Sequence, residues 1–316
     1  MAPEPHPAEH AFSGPLRIGT RGSPLALAQT EVTRSRLLAA CPGLAPAVTI
    51  IRTTGDRVLD RPLAEIGGKG LFTKEIDEAM LAGRIDIAVH SAKDLPTWLP
   101  DDIVLAATLP REDPRDAFVS AIATGIDGLP AGVTVGTASL RRQAQLLARR
   151  PDLAVVPLRG NVATRLDKVA AGIVAATFLA VAGLKRLGLE GHASAILGAD
   201  EMLPAVGQAA IAITCRAGDA PTLALLAAID DARTTAEIAC ERAMLAVLDG
   251  SCRTPIAGLA RADPGGGTLT LHALVARPDG SRLLNTGRTG PVVDAVRMGA
   301  DAGEELRRRA GPGFFG

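Results

Sequence analysis

Over the first two-thirds of the chain, short apolar runs alternate with segments whose apolar positions return every three or four residues. The runs predict buried strands and the longer period predicts amphipathic helices. LRIGT (16–20) reads as a strand. Ser23-Pro24 then opens a helix, with Ser as N-cap and Pro at the first helical position. VTIIRT (48–53) reads as a second strand. LFTKEIDEAMLA (71–82) puts Ile76, Ala79 and Met80 on one helical face, and Gly83 stops it. IDIAVH (85–90) is a buried strand. The alternation predicts a mostly parallel sheet.

The pattern resumes after a charged turn, REDPRD (111–116). VTVGT (133–137) and LAVVPL (153–158) are strands. SLRRQAQLLARR (139–150) is a helix capped by Ser139, and NVATRLDKVAAG (161–172) is a helix stopped by Gly172. VAAGIVAATFLAVAGL (169–184) is the longest nearly apolar run. It is short for a membrane span and is broken by Gly172 and Gly183, so it reads as a helix end, a buried strand and a helix start. IAITC (211–215) reads as a strand returning to the first sheet. Two similar α/β lobes with crossing connections and a cleft between them are expected.

The last third changes character. Thr234 and Glu237 have capping-box spacing before a helix ending near Leu248. IAGLARA (256–262), TLTLHALVA (268–276) and SRLLNTGR (281–288) are separated by Pro/Gly-rich turns, and a helix follows from Pro291 to about Ala310. This predicts a small α+β domain with a three-stranded antiparallel sheet.

Composition narrows the function. The chain has 316 residues, 34 basic and 34 acidic, so its net charge gives no support for a nucleic-acid or anionic-membrane partner. Locally the balance differs. From Arg141 to Arg186 there are nine Lys or Arg (141, 142, 149, 150, 159, 165, 168, 185, 186) against Asp152 and Asp167, an excess that attracts anions. Cysteines 41, 215, 240 and 252 lie far apart, without metal-site or disulfide-scaffold spacing, so no metal is expected. The opening MAPEPHPAEHAFSG has no secretory-signal pattern and reads as a flexible tail.

Several positions carry chemistry. Cys252, in DGSCRTPIAG (249–258), is a thiol in a Gly-Ser turn after a helical run. A helix C-terminus does not lower a thiol pKa, so its activation would come from neighbours such as Arg253. Cys215 and Cys240 read as buried structural thiols. Lys93 and Asp94 follow the strand 85–90, at the end of a sheet where α/β proteins bind ligands. Asp94 there could act as acid or base or stabilise a cation; an ordinary surface Lys-Asp pair is the alternative. His90 and Ser91, being adjacent on a strand end, point apart and do not suggest a serine triad. Arg21 sits where a strand meets a helix N-terminus, a natural anion site. Arg141 and Arg142 enter a helix's first turn against its dipole, which suggests an expected anion; a solvated pair is the alternative. Arg159 and Arg165 frame another strand-to-helix turn, and Arg186 follows the apolar run. Arginine's planar fork suits carboxylates. AEIGGKGLF (64–72) lacks P-loop spacing and reads as a lid or hinge.

Nine ordered segments between about Leu16 and Arg309 carry a resemblance: RIGTRGSPLALAQ, GGKGLFTKEID, DIAVHSAKDLP, REDPRDAFVS, GTASLRRQAQL, LRGNVATRL, LAVAGLKRLGL, LPAVGQ and ERAMLAVLDGSCRTPIAG. Together they closely resemble the porphobilinogen deaminase (hydroxymethylbilane synthase) family. The resemblance implies a transferase that joins four porphobilinogens head to tail into a linear tetrapyrrole, releasing ammonia at each step. It implies a dipyrromethane cofactor held by a thioether at Cys252, with Lys93, Ser139, Arg141 and Arg142 around it. Asp94, with Lys93, takes the catalytic place. Arg21, Ser23, Lys69, Arg159, Arg165 and Arg186 match substrate-binding positions. The implied fold is two periplasmic-binding-protein-like lobes with a central cleft, plus the small C-terminal domain. The domains are expected at 15–110 with 207–228, 113–204 and 231–316, after a tail at 1–14. A cytoplasmic monomer without nucleic-acid or membrane partners is implied. Ala138, Ala175 and Ala209 depart from the family's usual Ser, Asp and Gly. A non-catalytic two-lobed anion-binding protein would have the same fold, and Cys252 and Asp94 argue against it. A pyridoxal-phosphate enzyme using Lys93 is a weaker rival.

Overall fold

The computed structural model describes residues 14–57, 70–250 and 254–314. The tail, Lys69, most of the Gly-rich stretch and Cys252 therefore lie outside the described residues. The elements begin with β1 (Leu16–Thr20), α1 (Pro24–Ala40), β2 (Pro46–Ile50), α2 (Thr54–Arg57), α3 (Lys74–Leu81), β3 (Ile87–Ser91) and β4 (Ile103–Thr108). They continue with β5 (Asp116–Ser120), β6 (Thr134–Gly136), α4 (Leu140–Arg149), β7 (Ala154–Val156), α5 (Val162–Ala170), β8 (Ala176–Ala180), α6 (Val181–Arg186) and β9 (Ala195–Ile196). The last are β10 (Ile211–Arg216), α7 (Ala220–Ala227), α8 (Ala232–Val247), β11 (Ile256–Ala262), β12 (Thr268–Ala276), β13 (Leu283–Pro291) and α9 (Ala295–Ala310).

Two compact units result. Among the described residues, the first holds 14–57, 70–111 and 210–235, and the second holds 112–209 and 236–314. The first unit's sheet has the order β2-β1-β3-β10-β4, with β1 parallel to β2 and β3 and β10 antiparallel to β3 and β4. The second unit's five-stranded sheet runs β7-β6-β8-β5-β9, with β6 parallel to β7 and β8 and β5 antiparallel to β8 and β9. The two lobes thus share one strand order and one pattern of directions. The expectation of a mostly parallel sheet holds with one exception in each lobe: four strands run the same way, and β10 in the first sheet and β5 in the second run against them. In each, the antiparallel strand is the first strand along the chain after it crosses into that lobe. It arrives through the crossing and not through a right-handed βαβ turn, so nothing forces it parallel.

Period-two burial builds the first lobe. Leu16 and Ile18 of β1, Ile87 and Val89 of β3, and Ile211, Ile213 and Cys215 of β10 point to one face, against Leu37, Leu225 and Leu226. The opposite face presents Ala88 to Ile76 and Met80 of α3, the helical face read from the sequence. In the second lobe Phe118 and Phe178 sit opposite each other across β5 and β8, ring centroids 5.9 Å apart, a spacing favourable for tilted aromatics. Burying each such side chain contributes roughly 1.5–3 kcal/mol. The antiparallel sheet β11-β12-β13 packs with α8 and α9 around Met244, Leu271, Met298 and Leu306. The 169–184 run resolves into the end of α5, β8 and α6, and among the described residues no helix is long and apolar enough to cross a membrane.

Other departures have local reasons. Thr234 and Glu237 are not a capping box, because α8 already begins at Ala232. The Asp231 carboxylate accepts the Thr234 N–H (2.8 Å) and caps the helix. The Thr234 hydroxyl accepts the Arg111 N–H (3.0 Å) and Glu237 accepts the Ala262 N–H (3.0 Å), so both side chains serve loop and sheet backbone. The charged turn ends a residue early, since Asp116 starts β5. The final helix begins at Ala295, after a single 3-10 turn over Val292–Asp294.

Candidate functional site

In the first unit, Asp94 ends a single 3-10 turn (Ala92–Asp94) at the carboxyl end of β3. The turn is tied down where the Ala92 N–H donates to the Ala210 carbonyl (3.0 Å) and where Leu95 is buried. This fixes the Asp94 Cα while its side chain keeps 33 % exposure. Arg21 follows β1, the neighbouring strand, and its Nη1 lies 3.6 Å from Asp94 Oδ2. The Arg21 guanidinium also stands 4.1 Å over the Phe72 ring. Ser23 caps α1 by accepting the Ala26 N–H (3.3 Å), as its sequence position predicts. A cavity of about 40 Å³ opens among these groups, lined in part by Arg21, Ser23, Gln29, Phe72, Ser91 and Asp94. That is on the scale of a few waters.

His90 and Ser91 diverge as their strand positions require. His90 Nε2 lies 3.1 Å from the Thr214 hydroxyl, and Ser91 Oγ lies 2.9 Å from the Gln29 amide nitrogen. Burial first, then the Arg21 charge, pushes the His90 pKa down to about 4, so the ring is neutral near pH 7. Lys93 is half-buried on the same turn as Asp94.

In the second unit, Arg141 and Arg142 enter the first turn of α4, whose N-cap is Ser139, as predicted; Ser139 Oγ accepts the Arg142 N–H (3.4 Å). Both guanidiniums are buried, so they are not a solvated pair. The anion they meet is Asp116 of β5. Arg142 Nη2 donates to its Oδ1 (2.7 Å), and Arg141 Nη2 lies 2.8 Å from Oδ2. Gln208 Nε2 donates to the same Oδ1 (2.8 Å) and to the Pro114 carbonyl (2.7 Å). Burial opposes ionisation of Asp116, but the two guanidiniums outweigh it and hold the carboxyl well below the usual carboxylate range. Burial pulls Arg141 down from its ordinary value, against the pull of Asp116. Two cations share one buried anion, and among the described residues the buried Nε of each arginine has no hydrogen-bond partner.

Backbone carbonyls fix the Arg186 and Arg165 side chains. Arg186, at the end of α6, donates from Nη2 to the Ala209 carbonyl (2.6 Å). Ala209 has φ +76°, a left-handed conformation costly for any residue with a β-carbon, so glycine would fit this position at lower cost. Arg165 Nε donates to the Gly160 carbonyl (2.8 Å), and the Arg159 carbonyl accepts from Lys168 Nζ (3.1 Å) across the turn between β7 and α5. Ala138 is exposed ahead of α4, and Ala175 precedes β8 with its carbonyl bonded to the Ser120 hydroxyl (2.7 Å).

The basic excess read from the sequence is smaller than its window suggested. Arg149 pairs with Asp127 and Glu201, Arg150 with Asp152, and Lys185 with Glu112. Most of those acids come from outside the window. Sequence reasoning also missed Asp116, Gln208 and Phe72 as site components. Only Asp116 left a signal, an acid directly against the run AFVS, but in sequence it reads as part of the charged turn.

Cys252 and Lys69 lie outside the described residues. What flanks Cys252 is ordered: α8 closes where the Gly250 N–H donates to the Leu245 carbonyl (3.0 Å), and a β-carbon on Gly250 would overlap Leu245 and Ile256. Cys41, Cys215 and Cys240 are buried, and burial pushes the Cys215 thiol up to about 11 and Cys240 up to about 12. All three are poor nucleophiles near neutral pH.

Comparison with protein families matches residues 16–224 to "Porphobilinogen deaminase, dipyromethane cofactor binding domain" and 235–308 to "Porphobilinogen deaminase, C-terminal domain". Among curated proteins, the porphobilinogen deaminase of Paracoccus denitrificans is 57 % identical over 303 residues, covering 95 % of this chain and 96 % of that one. The chloroplastic porphobilinogen deaminase of Pisum sativum is 55 % identical over 307 residues, covering 95 % and 83 %. Among solved structures, a periplasmic substrate-binding protein of an ABC transporter from Coxiella burnetii is similar with TM-score 0.42 and 15 % identity, over 68 % of this chain and 91 % of that one. The periplasmic aliphatic sulphonate binding protein of Escherichia coli has TM-score 0.40 and 16 % identity, over 73 % and 69 %.

Proposed function

The chain belongs to the porphobilinogen deaminase family, and from that premise we propose how its own residues carry the family's reaction. The enzyme polymerises four porphobilinogens head to tail into hydroxymethylbilane, with release of ammonia, in tetrapyrrole biosynthesis. Its cofactor is a dipyrromethane, a carboxylate-bearing group. The residues present fit such a group: Arg141 and Arg142 carry one net positive charge beyond Asp116 and orphaned Nε donors, both of which a carboxylate would satisfy. When bound, the dipyrromethane supplies the pyrrole terminus from which the product grows.

In this reading Arg141, Arg142, Ser139 and Lys93 hold the cofactor, and Cys252 is its point of attachment. The high thiol pKa values of Cys215 and Cys240, and the burial of Cys41, support Cys252 by making the other three thiols poor candidates. Arg21, Ser23, Lys69, Arg159, Arg165 and Arg186 bind the acetate and propionate groups of the substrate. Asp94 lies beside the substrate and stabilises the positive charge that develops on the pyrrole ring as ammonia leaves. The neutral His90 at its back takes no part in proton transfer. The same proposal includes a cytoplasmic monomer acting without nucleic acid or membrane, and a division into 15–110 with 207–228, 113–204 and 231–316.

The observation that carries the assignment of Asp94 is its placement on a pinned turn at a strand's carboxyl end, part-exposed and facing a guanidinium. Asp94→Asn keeps the shape and removes the charge; Asp94→Glu keeps the charge and shifts it by a methylene. Loss of a preorganised charge costs about 3–4 kcal/mol of barrier, a hundredfold or more in rate. Single-turnover ring addition by purified holoprotein is expected to be nearly lost in Asp94→Asn and measurable in Asp94→Glu. Ring addition by Asp94→Asn at the parent's rate would make Asp94 a positioning residue only.

A further inference from the structure

The sequence assigns Phe72 no chemical role, yet its ring faces the Arg21 guanidinium at 4.1 Å. A cation within about 6 Å of a ring face is attracted by the ring's quadrupole. Asp94 pulls the same guanidinium from another direction, but its Oδ2 stops 3.6 Å from Nη1, well beyond the roughly 2.7–2.9 Å of a charge-assisted hydrogen bond. The ring is itself clamped. The Gly55 N–H donates to the Leu71 carbonyl (2.8 Å), the Thr54 N–H donates to Glu75 Oε1 (2.9 Å), and a β-carbon on Gly55 would overlap the ring edge. Gly55 does not need its glycine for a positive φ. It needs it to let Phe72 lie where it does.

We propose that Phe72 is a positioning residue for Arg21: its ring, seated on Gly55, holds the guanidinium off Asp94 and ready for a substrate carboxylate. The inference rests on the reading of Arg21 as a carboxylate-binding residue. Without the ring face, Arg21 closes onto Asp94, and an incoming carboxylate must displace it. Binding then weakens, while the bound complex, in which Arg21 has left Asp94, reacts as before.

The test is steady-state kinetics of the holoenzyme with porphobilinogen, each variant checked for holoprotein content by intact mass. Phe72→Leu keeps apolar bulk and removes the π face; a five-fold rise in KM is expected, with kcat within two-fold, as fits a contact made equally in ground and transition states. Phe72→Tyr keeps the face and should stay within two-fold of the parent in both constants. Gly55→Ala leaves Phe72 in place but displaces its ring, and should reproduce the Leu phenotype. In an Arg21→Leu background, Phe72→Leu should raise KM no further, since coupled residues are not additive. A Leu variant with the parent's KM, a Tyr variant as poor as Leu, or full additivity with Arg21→Leu would each overturn the inference. If Arg21→Leu alone leaves KM unchanged, the carboxylate-binding reading of Arg21 falls and the inference with it. That result is distinguishable because the Arg21 variant itself reports it.

Discussion

Asp116→Asn probes the buried charge cluster of the second unit most directly. Asp116 is fully buried, and both of its oxygens face guanidiniums that are themselves buried. Asn keeps the Oδ1 acceptor for Arg142 and Gln208 and removes the only negative charge of the trio. Breaking a buried pair in this way costs about 3–5 kcal/mol, because two desolvated cations are left uncompensated. Against a total stability of about 5–15 kcal/mol this is a large fraction. With a urea slope of about 1–3 kcal/mol/M, the midpoint should fall by about 1–5 M at pH 7. Far-UV circular dichroism is the suitable probe, since the only tryptophan, Trp98, belongs to the first unit and is 62 % exposed. The pH dependence gives a second reading. The folded-state pKa of Asp116 is depressed, so its contribution is complete above the unfolded value near 3.9 and is lost as pH falls below it toward the folded value. The parent should therefore lose stability below about pH 4 more steeply than Asp116→Asn. An Asn variant with the parent's midpoint at pH 7 and the same acid limb would refute the claim that Asp116 is the counterion of Arg141 and Arg142.

Two more outcomes follow from single residues. Ala209→Gly relieves a left-handed alanine worth about 1–2 kcal/mol and adds about 0.4–1 kcal/mol of unfolded-chain entropy, so a net gain of about 0.5–1 kcal/mol is expected; a lower urea midpoint than the parent's would contradict it. In native protein at pH 7, Cys41, Cys215 and Cys240 should resist maleimide labelling and Cys252→Ser should carry no dipyrromethane by intact mass, whereas a loaded Cys252→Ser protein would move the attachment elsewhere.

Local signals along the chain sufficed for much of this molecule. Ser23 and Ser139 cap the helices they introduce, and Gly83 and Gly172 close theirs at positive φ, because capping and termination depend on residues within a turn of each other. β11 and β12 occupy the ranges their alternation marks. Arg21, Asp94 and the pair Arg141–Arg142 were visible as chemistry at strand and helix ends. The partners of those residues were not visible. Asp116 meets arginines more than twenty residues along the chain, and β10 inserts between β3 and β4 from the far side of a lobe. Charge counted in a window misled for the same reason, since Arg149 and Lys185 take their carboxylates from outside it. Phe72 reads in sequence only as part of a Gly-rich segment and of the helix predicted over 71–82; only the fold brings its face under Arg21 and its edge onto Gly55. Caps and periodicities are set by the few residues on either side. Which ion meets which, and which strand lies beside which, is set by the closure of long loops around a shared core, and only the tertiary structure decides that.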